Sequence, residues 1–251
     1  MSIPEFELDG MVVAVTGAGK GIGRAIALDA ARAGAEILAC SRTESDLDAL
    51  RDEIEWRGGT CRTVVADVTD ATDVERFLDA APQVHAVVNN AGGNRLADAL
   101  DYTIDDVDQL VTHNLRSVWL MSTAAARRMG TTGGGTILNI TSQAGVIAAP
   151  GRAPYSAAKA GVNHLTKTLA VEWAPLGIRV NALAPTVTAT PLGERAMAQY
   201  PALAEEVARR NLFGRPASTR EISLPAIFML SPAAAMITGH VLVVDGGWTL
   251  T

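Results

Sequence analysis

Short apolar, β-branched runs alternate with longer segments of helical pattern along this chain, and that alternation leaves few folds open to it. MVVAVTG (from Met11) is followed by IGRAIALDAARAG, EILACS (from Glu36) by ESDLDALRDEIEWRG, CRTVVADV (from Cys61) by ATDVERFLDAA, and VHAVVNN (from Val84) comes next. Strands that are apolar throughout, rather than alternating with polar residues, are covered on both faces. The repeat therefore predicts an α/β fold, a parallel sheet with helices on either side. Later strands read GGTILNITS from Gly134, IRVNALAP from Ile178 and HVLVVDGG from His240, with long helices over about 103–129 and 154–173. Pro175 and Gly177 stop the second of these. Residues 186–216, interrupted by Pro191, Pro201 and Gly214, read as a loop or lid with a short helix inside. No linker or change of composition divides residues 1–251, which are expected to form a single domain.

With 48% apolar residues the chain can bury one large core. Its 27 acidic against 21 basic side chains, a net charge of −6, argue against a nucleic acid or an anionic membrane as the main partner and point to small molecules. The acidic start MSIPEFELDG is no leader, and no apolar run approaches the roughly 18 residues of a membrane span, so a soluble cytoplasmic protein is expected. Cys40 and Cys61 read as free buried thiols. His85, His164 and His240 are scattered without ligand spacing, and no metal site is expected.

The first strand runs into TGAGKGIG, with Gly17, Gly19, Gly21 and Gly23, and then directly into an alanine-rich helix. Such glycines let the backbone turn tightly against a pyrophosphate, whose charge is met by the free N–H groups and dipole of the helix. The spacing is not the strict GxGxxG pattern, so a turn that serves packing alone is the other reading. After the second strand, where an acidic residue would hold the ribose of an unphosphorylated dinucleotide, the chain has Cys40-Ser41-Arg42. Ser41 can donate to a 2′-phosphate, Arg42 can pair with it, and Lys20 adds positive charge nearby, which favours NADP(H) over NAD(H). The plainer alternative for both cations is a solvated surface charge.

In YSAAK, Tyr155 and Lys159 lie four residues apart and share one face of a helix. A cation about 4 Å from a phenol is worth roughly 4 kcal/mol at an effective dielectric near 20, about three pKa units before desolvation is subtracted. The expectation is a Tyr155 whose pKa is pulled toward neutrality by Lys159 and which serves as general acid and base. Read alone, the pair fits an ordinary helix face equally well.

TGAGKGIG, NNAG (Asn89 to Gly92), HNL around Asn114, ILNITS closing on Ser142, YSAAK and PTVTAT together resemble, in order and separation, the short-chain dehydrogenase/reductase family. The resemblance covers essentially the whole chain. It implies a doubly wound Rossmann fold with a seven-stranded, mainly parallel sheet in the order 3-2-1-4-5-6-7. Tyr155 matches the family's acid/base and Lys159 its partner, which also holds the nicotinamide ribose. Ser142 matches the residue that bonds the substrate oxygen, and Asn114 the one that places a water behind the lysine. Cofactor contacts are implied for Gly17, Gly19, Lys20, Gly21, Ile22 and Gly23, for Asp67 and Val68 at the adenine, for Asn90, Ala91 and Gly92, and for Pro185, Val187 and Thr190 at the nicotinamide. The family's homotetramer is implied through the two long helices and the C-terminal strand.

Two departures from the family pattern stand out. Pro185-Thr186 replaces a common Pro-Gly and brings a hydroxyl to the substrate pocket, while His113 stands where an apolar residue is usual and reads as a packing variant. The reaction implied is the interconversion of a secondary alcohol and a ketone. A sugar, polyol or small ketone is the expected substrate, with a 3-oxoacyl-carrier-protein as the alternative. Val171, where a docking charge for an acidic carrier would be expected, weighs toward the first. A protein that only senses NADP(H) or binds a partner is the non-enzymatic alternative. Asn94, Gln143 and Arg152 are candidate substrate contacts. The plainer reading of Arg152 is a solvated loop charge; pointing inward, it would suit an anionic substrate.

Overall fold

The structure, a computed structural model, describes residues 4–251. Seven strands, β1 (Val12–Thr16), β2 (Glu36–Ser41), β3 (Cys61–Val65), β4 (Ala86–Asn89), β5 (Gly135–Ile140), β6 (Ile178–Pro185) and β7 (Val241–Val244), form one sheet in the order β3-β2-β1-β4-β5-β6-β7. Every neighbouring pair is parallel, so the sheet is wholly rather than mainly parallel. Alternation along β1 divides the core. Val13 and Val15 pack with Ile26, Ala27 and Ala30 of α1 (Gly21–Arg32), with Leu47, Leu50 and Ile54 of α2 (Glu44–Trp56), and with the last long helix at Thr219–Leu230. Val12 and Ala14 face the other way, toward Val74, Phe77 and Leu78 of α3 (Ala71–Asp79) and toward Met121 and Leu169 of the two long helices that follow β4 and β5.

The segment expected to be one helix over 103–129 is interrupted. α4 (Ile104–Val111), opened by a Thr103–Asp106 capping box, passes through a π-helical turn at Thr112–Arg116 into α5 (Ser117–Met129). α6 (Ala153–Trp173) carries YSAAK in its first turns and ends where expected, through Pro175 into Gly177 at φ +72°. The segment 186–216 is more regular than one short helix: α7 (Pro191–Gln199) and α8 (Pro201–Arg210) fill most of it, each with its proline in the first helical turn, where no donor is lost. α9 is the helix at Thr219–Leu230, which packs on α1.

The strand order reverses between β1 and β4, and at that switch point a parallel α/β sheet opens a crevice above its carboxyl ends. Thr16 Oγ1, at the end of β1, accepts from the backbone N–H groups of Asn90 and Ala91, both at 3.0 Å. The Asn90 amide donates back to the carbonyls of Thr16 (3.0 Å) and Gly17 (3.1 Å). Gly23 sits directly beneath this clasp: a Cβ there would lie 2.3 Å from Asn90 Nδ2 and 2.4 Å from the Gly17 carbonyl oxygen. Neither can retreat without breaking the clasp. Gly23→Ala is expected to lower unfolding free energy by about 1–3 kcal/mol in chemical denaturation, the range for overpacking. Gly93→Ala, where an added methyl meets nothing within 4 Å, should stay within about 0.5 kcal/mol of the parent.

Candidate active site

One cleft of about 1120 Å³ runs across the carboxyl ends of the strands. All the candidate catalytic, cofactor and substrate residues read from the sequence line it except Gly23, which lies under it as packing. Its volume lies just above the roughly 300–1,000 Å³ usual for small-molecule pockets.

At one end the glycine turn leads into α1, whose first residue is Gly21. Ser41, Arg42 and Lys20 stand together there, as their positions after β2 and in the turn require. The structure adds an acid that the sequence reading passed over: Asp46, in the first turn of α2, pairs with Lys20 at 2.9 Å. Arg42 is exposed and has no carboxylate partner among the described residues. Asp67 turns on itself, accepting from the Thr69 N–H (2.9 Å) and hydroxyl (2.7 Å). The Thr69 N–H above all holds its carboxyl below the usual carboxylate range.

At the other end, β5 runs into Ser142, whose hydroxyl accepts from Ala144 N–H at 3.1 Å and fixes the turn Gln143–Gly145. This turn lies against α6 so closely that a Cβ on Gly145 would sit 2.8 Å from the Lys159 carbonyl carbon and 2.9 Å from Ala160 N. That approach brings Ser142 to Tyr155. Gly145 escaped the sequence reading because its reason is tertiary. Lys159 is buried, 5% exposed, and donates to the Ile140 carbonyl at 2.9 Å, its ammonium 5.7 Å from the centre of the Tyr155 ring. Asn114, fully buried in the π turn, donates to the carbonyls of Gly93 and Leu110, both at 2.9 Å. A π turn bonds its backbone one residue further along than an α-helix and commonly marks a functional site. Below the site, Asn89 donates to Ser122 (2.9 Å) and Asn139 (2.8 Å), and Asn139 to Thr166 (2.9 Å), a buried polar ladder that ties β4, β5, α5 and α6 together.

The expected electrostatics of the pair are corrected. Burial is the largest influence on Tyr155 and raises its pKa above the ordinary phenol value; Ser142 and Arg152, not Lys159, pull against it. Burial likewise lowers Lys159 to about 8. In the protein alone Tyr155 thus holds its proton more firmly than a free phenol does. For Arg152, whose orientation the sequence leaves open, the structure favours the inward reading over a solvated loop charge: it lines the cleft three residues before Tyr155, with its Nε buried and unbonded. Gln143 is buried in the cleft wall, and Asn94 is exposed at the cleft edge. Thr190 caps α7 through Gly193 N–H (3.0 Å), so its hydroxyl is already engaged. Val187 gives its carbonyl to Ala217 N–H at 3.0 Å. Pro185 ends β6 beside them. His113 also reaches the cleft, its ring held by the Gln109 carbonyl at 2.9 Å. Among the described residues no group of three or more His, Cys, Asp or Glu could hold a metal ion, and no helix is long and apolar enough to cross a membrane.

A doubly wound sheet with a glycine turn at its switch point, and a serine, a tyrosine and a buried lysine across the same cleft, defines a dinucleotide-dependent oxidoreductase. A family profile described as "Enoyl-(Acyl carrier protein) reductase" matches residues 17–249. The chain is similar to D-threitol dehydrogenase of Mycolicibacterium smegmatis, 40% identical over 252 residues covering 98% of this chain and 95% of the relative. Gluconate 5-dehydrogenase of Gluconobacter oxydans is 37% identical over 256 residues, covering both chains in full. Among solved structures, a candidate NAD(P)-dependent gluconate 5-dehydrogenase from Beutenbergia cavernae, with bound NADP at low occupancy, superposes with a TM-score of 0.93. It is 38% identical, over 98% of this chain and 100% of that one. The protein belongs to the short-chain dehydrogenase/reductase family and is an oxidoreductase of alcohols and ketones.

The buried lysine makes a prediction about stability. A lysine whose pKa is lower folded than unfolded destabilises the fold fully below the folded value, and the penalty fades as pH rises to the unfolded value. For Lys159 that window runs from about 8 to the ordinary 10.5. Unfolding free energy of the cofactor-free protein should therefore gain up to about 3 kcal/mol across the window relative to Lys159→Met, measured by denaturant titration at each pH. The buried thiols Cys40 and Cys61, pushed up to about 12, act oppositely but equally in both proteins. Parallel pH profiles would contradict the buried-ammonium reading.

Proposed function

We propose that this chain is an NADP(H)-dependent oxidoreductase that interconverts a secondary hydroxyl of a sugar or polyol with the ketone, Tyr155 moving the proton. The observation that carries this is the meeting of Ser142, Tyr155 and Lys159 at one end of the cleft that holds the glycine turn and Ser41-Arg42 at the other. The fit to a dinucleotide is supported by the space left above Gly17, Gly19 and Gly21 and by the N-terminus of α1 at the turn. Ser41 and Arg42 favour a 2′-phosphate, with Lys20 divided between that phosphate and Asp46. Ile22, Val68, Ala91, Gly92, Pro185, Val187 and Thr190 line the walls between the two ends.

When bound, the nicotinamide exchanges a hydride with the substrate carbon. Ser142 holds the substrate oxygen and Tyr155 donates to it as ketone becomes alcohol. Tyr155 carries the proton this direction needs, and burial, which favours the neutral phenol, opposes the reverse direction. In the reverse direction Tyr155 must lose its proton, and Ser142 and Arg152 are the groups placed to ease that. Asn114, next to Gly92 and Lys159, stands where a proton path from the lysine to solvent would pass. The names of the relatives support a polyhydroxylated substrate. Val171, 77% exposed and uncharged, offers nothing to an acidic carrier protein. We assign the exposed Ile104, Trp119 and Val171 on α4, α5 and α6 to contacts between copies in a tetramer.

Tyr155→Phe should lower kcat by at least about 100-fold, the scale of general acid–base catalysis, with the NADPH dissociation constant within about twofold of the parent. A wild-type protein that binds NADPH yet oxidises none of it against keto sugars, acyl thioesters and cyclic ketones would overturn the enzymatic reading in favour of a sensor. Arg42→Ala should weaken NADPH at least about tenfold more than NADH, scored by fluorescence titration, since it removes a charge-assisted contact to the 2′-phosphate. Equal weakening of the two would remove the phosphate assignment.

A further inference from the structure

Charge is unevenly distributed along the cleft. Both carboxylates that line it, Asp46 and Asp67, belong to the end at β2 and β3. Around Tyr155 the wall carries no carboxylate; its charged and polar groups include Lys159, Arg95, Arg152, Arg195, Gln143 and Thr186. Two of the three arginines are occupied. Arg95 is paired with Asp106 and stacked over the Tyr102 ring at 5.7 Å, and Arg195 donates through Nε to the Pro191 carbonyl at 2.9 Å. Arg152 differs: its side chain makes no ion pair and no hydrogen bond among the described residues, although its Nε is buried. Two more groups in the same wall are buried and unbonded, Gln143 Oε1 and Thr186 Oγ1, on residues 5% and 7% exposed. A buried guanidinium nitrogen with no partner is costly, and a site that keeps one is built for a ligand that supplies the acceptor.

From this placement we infer that Arg152 is a specificity-determining residue that binds the carboxylate of a hydroxylated acid, so that the physiological substrate is a keto or hydroxy acid of the sugar-acid class rather than a neutral polyol. The inference rests on the alcohol–ketone reading above and narrows its substrate. The planar fork of a guanidinium matches a carboxylate with two parallel hydrogen bonds. A single unpaired guanidinium, with the Lys159 ammonium turned to the Ile140 carbonyl, suits one negative charge better than a phosphate dianion. Gln143 Oε1 and Thr186 Oγ1 then meet hydroxyls of the carbon chain, which accounts for three otherwise orphaned groups with one ligand. Arg152, three residues before Tyr155, would hold the acid by one end while Ser142 and Tyr155 engage the reacting oxygen. A neutral polyol would leave the guanidinium without a counter-charge.

The test is steady-state kinetics on a matched pair, an aldonic acid and the alditol of the same chain length and configuration, with NADP as oxidant. For the wild type, kcat/KM for the acid should exceed that for the alditol at least about thirtyfold, the scale of a charge-assisted pair. Arg152→Gln should cut that ratio at least about tenfold, mainly through KM for the acid, and Arg152→Lys, which keeps the charge but loses the fork, should restore part of it. A wild-type ratio near one, or a ratio that Arg152→Gln leaves unchanged, overturns the assignment while the alcohol–ketone reading stands. Preference for the phosphate ester of the same alditol over the acid overturns it in favour of a sugar phosphate. Turnover of none of these compounds, nor of the ketone panel, by a protein that binds NADPH overturns both readings together.

Discussion

The clasp between Thr16 and Asn90 is the constraint on which the rest of the site depends. β1 and β4 are paired as far as Val15 and Val88, but beyond that register the connections leaving the two strands part at the switch point, and the ladder does not tie them together. Here one hydroxyl accepts two backbone N–H groups from across the gap, and one amide returns two bonds to carbonyls. The four bonds set the height of the glycine turn over the sheet and aim the start of α1 into the cleft. Gly23 is the steric counterpart of the same clasp, since any side chain there would occupy the space of the Asn90 amide.

The proton-handling end is assembled by a different means, close approach rather than hydrogen bonding across a gap. The turn after Ser142 presses on α6 at Gly145, and the ladder from Asn89 through Asn139 to Thr166 locks β5 to the same helix. Tyr155 and Lys159 then sit in surroundings dry enough to disfavour the charged form of each. Desolvated titratable groups and a cation without a counter-ion are the signs of a cleft arranged around what it binds.

Much of this was legible in the chain. The alternation of strands and helices gave the sheet, because burial on both faces demands uninterrupted apolar runs, and the ends of α6 followed from Pro175 and Gly177. The order of the strands and the roles around YSAAK came from resemblance; no periodicity contains them. Three features lay beyond reach. The π turn at Asn114 leaves no mark in side-chain spacing, and it differs from an α-helix by one residue of hydrogen-bond register. Residues 186–216 held two helices, because prolines taken as interruptions occupy first turns, where they are tolerated. The pull of Lys159 on Tyr155 was overestimated because desolvation was left out of the sum: the ammonium donates to the Ile140 carbonyl, and burial dominates both groups. Arg152 illustrates the same limit, since a loop arginine and a cleft arginine are identical in sequence.

The dependence of the whole cleft on the clasp is tested most directly by the affinity of Asn90→Ala for NADPH, measured by isothermal titration beside the parent protein. Loss of the amide leaves two carbonyls unpaired at the mouth of the glycine turn, and affinity is predicted to fall at least about tenfold while the cooperative unfolding transition is retained. A variant that binds NADPH as tightly as the parent would contradict the claim that this contact holds the site in shape.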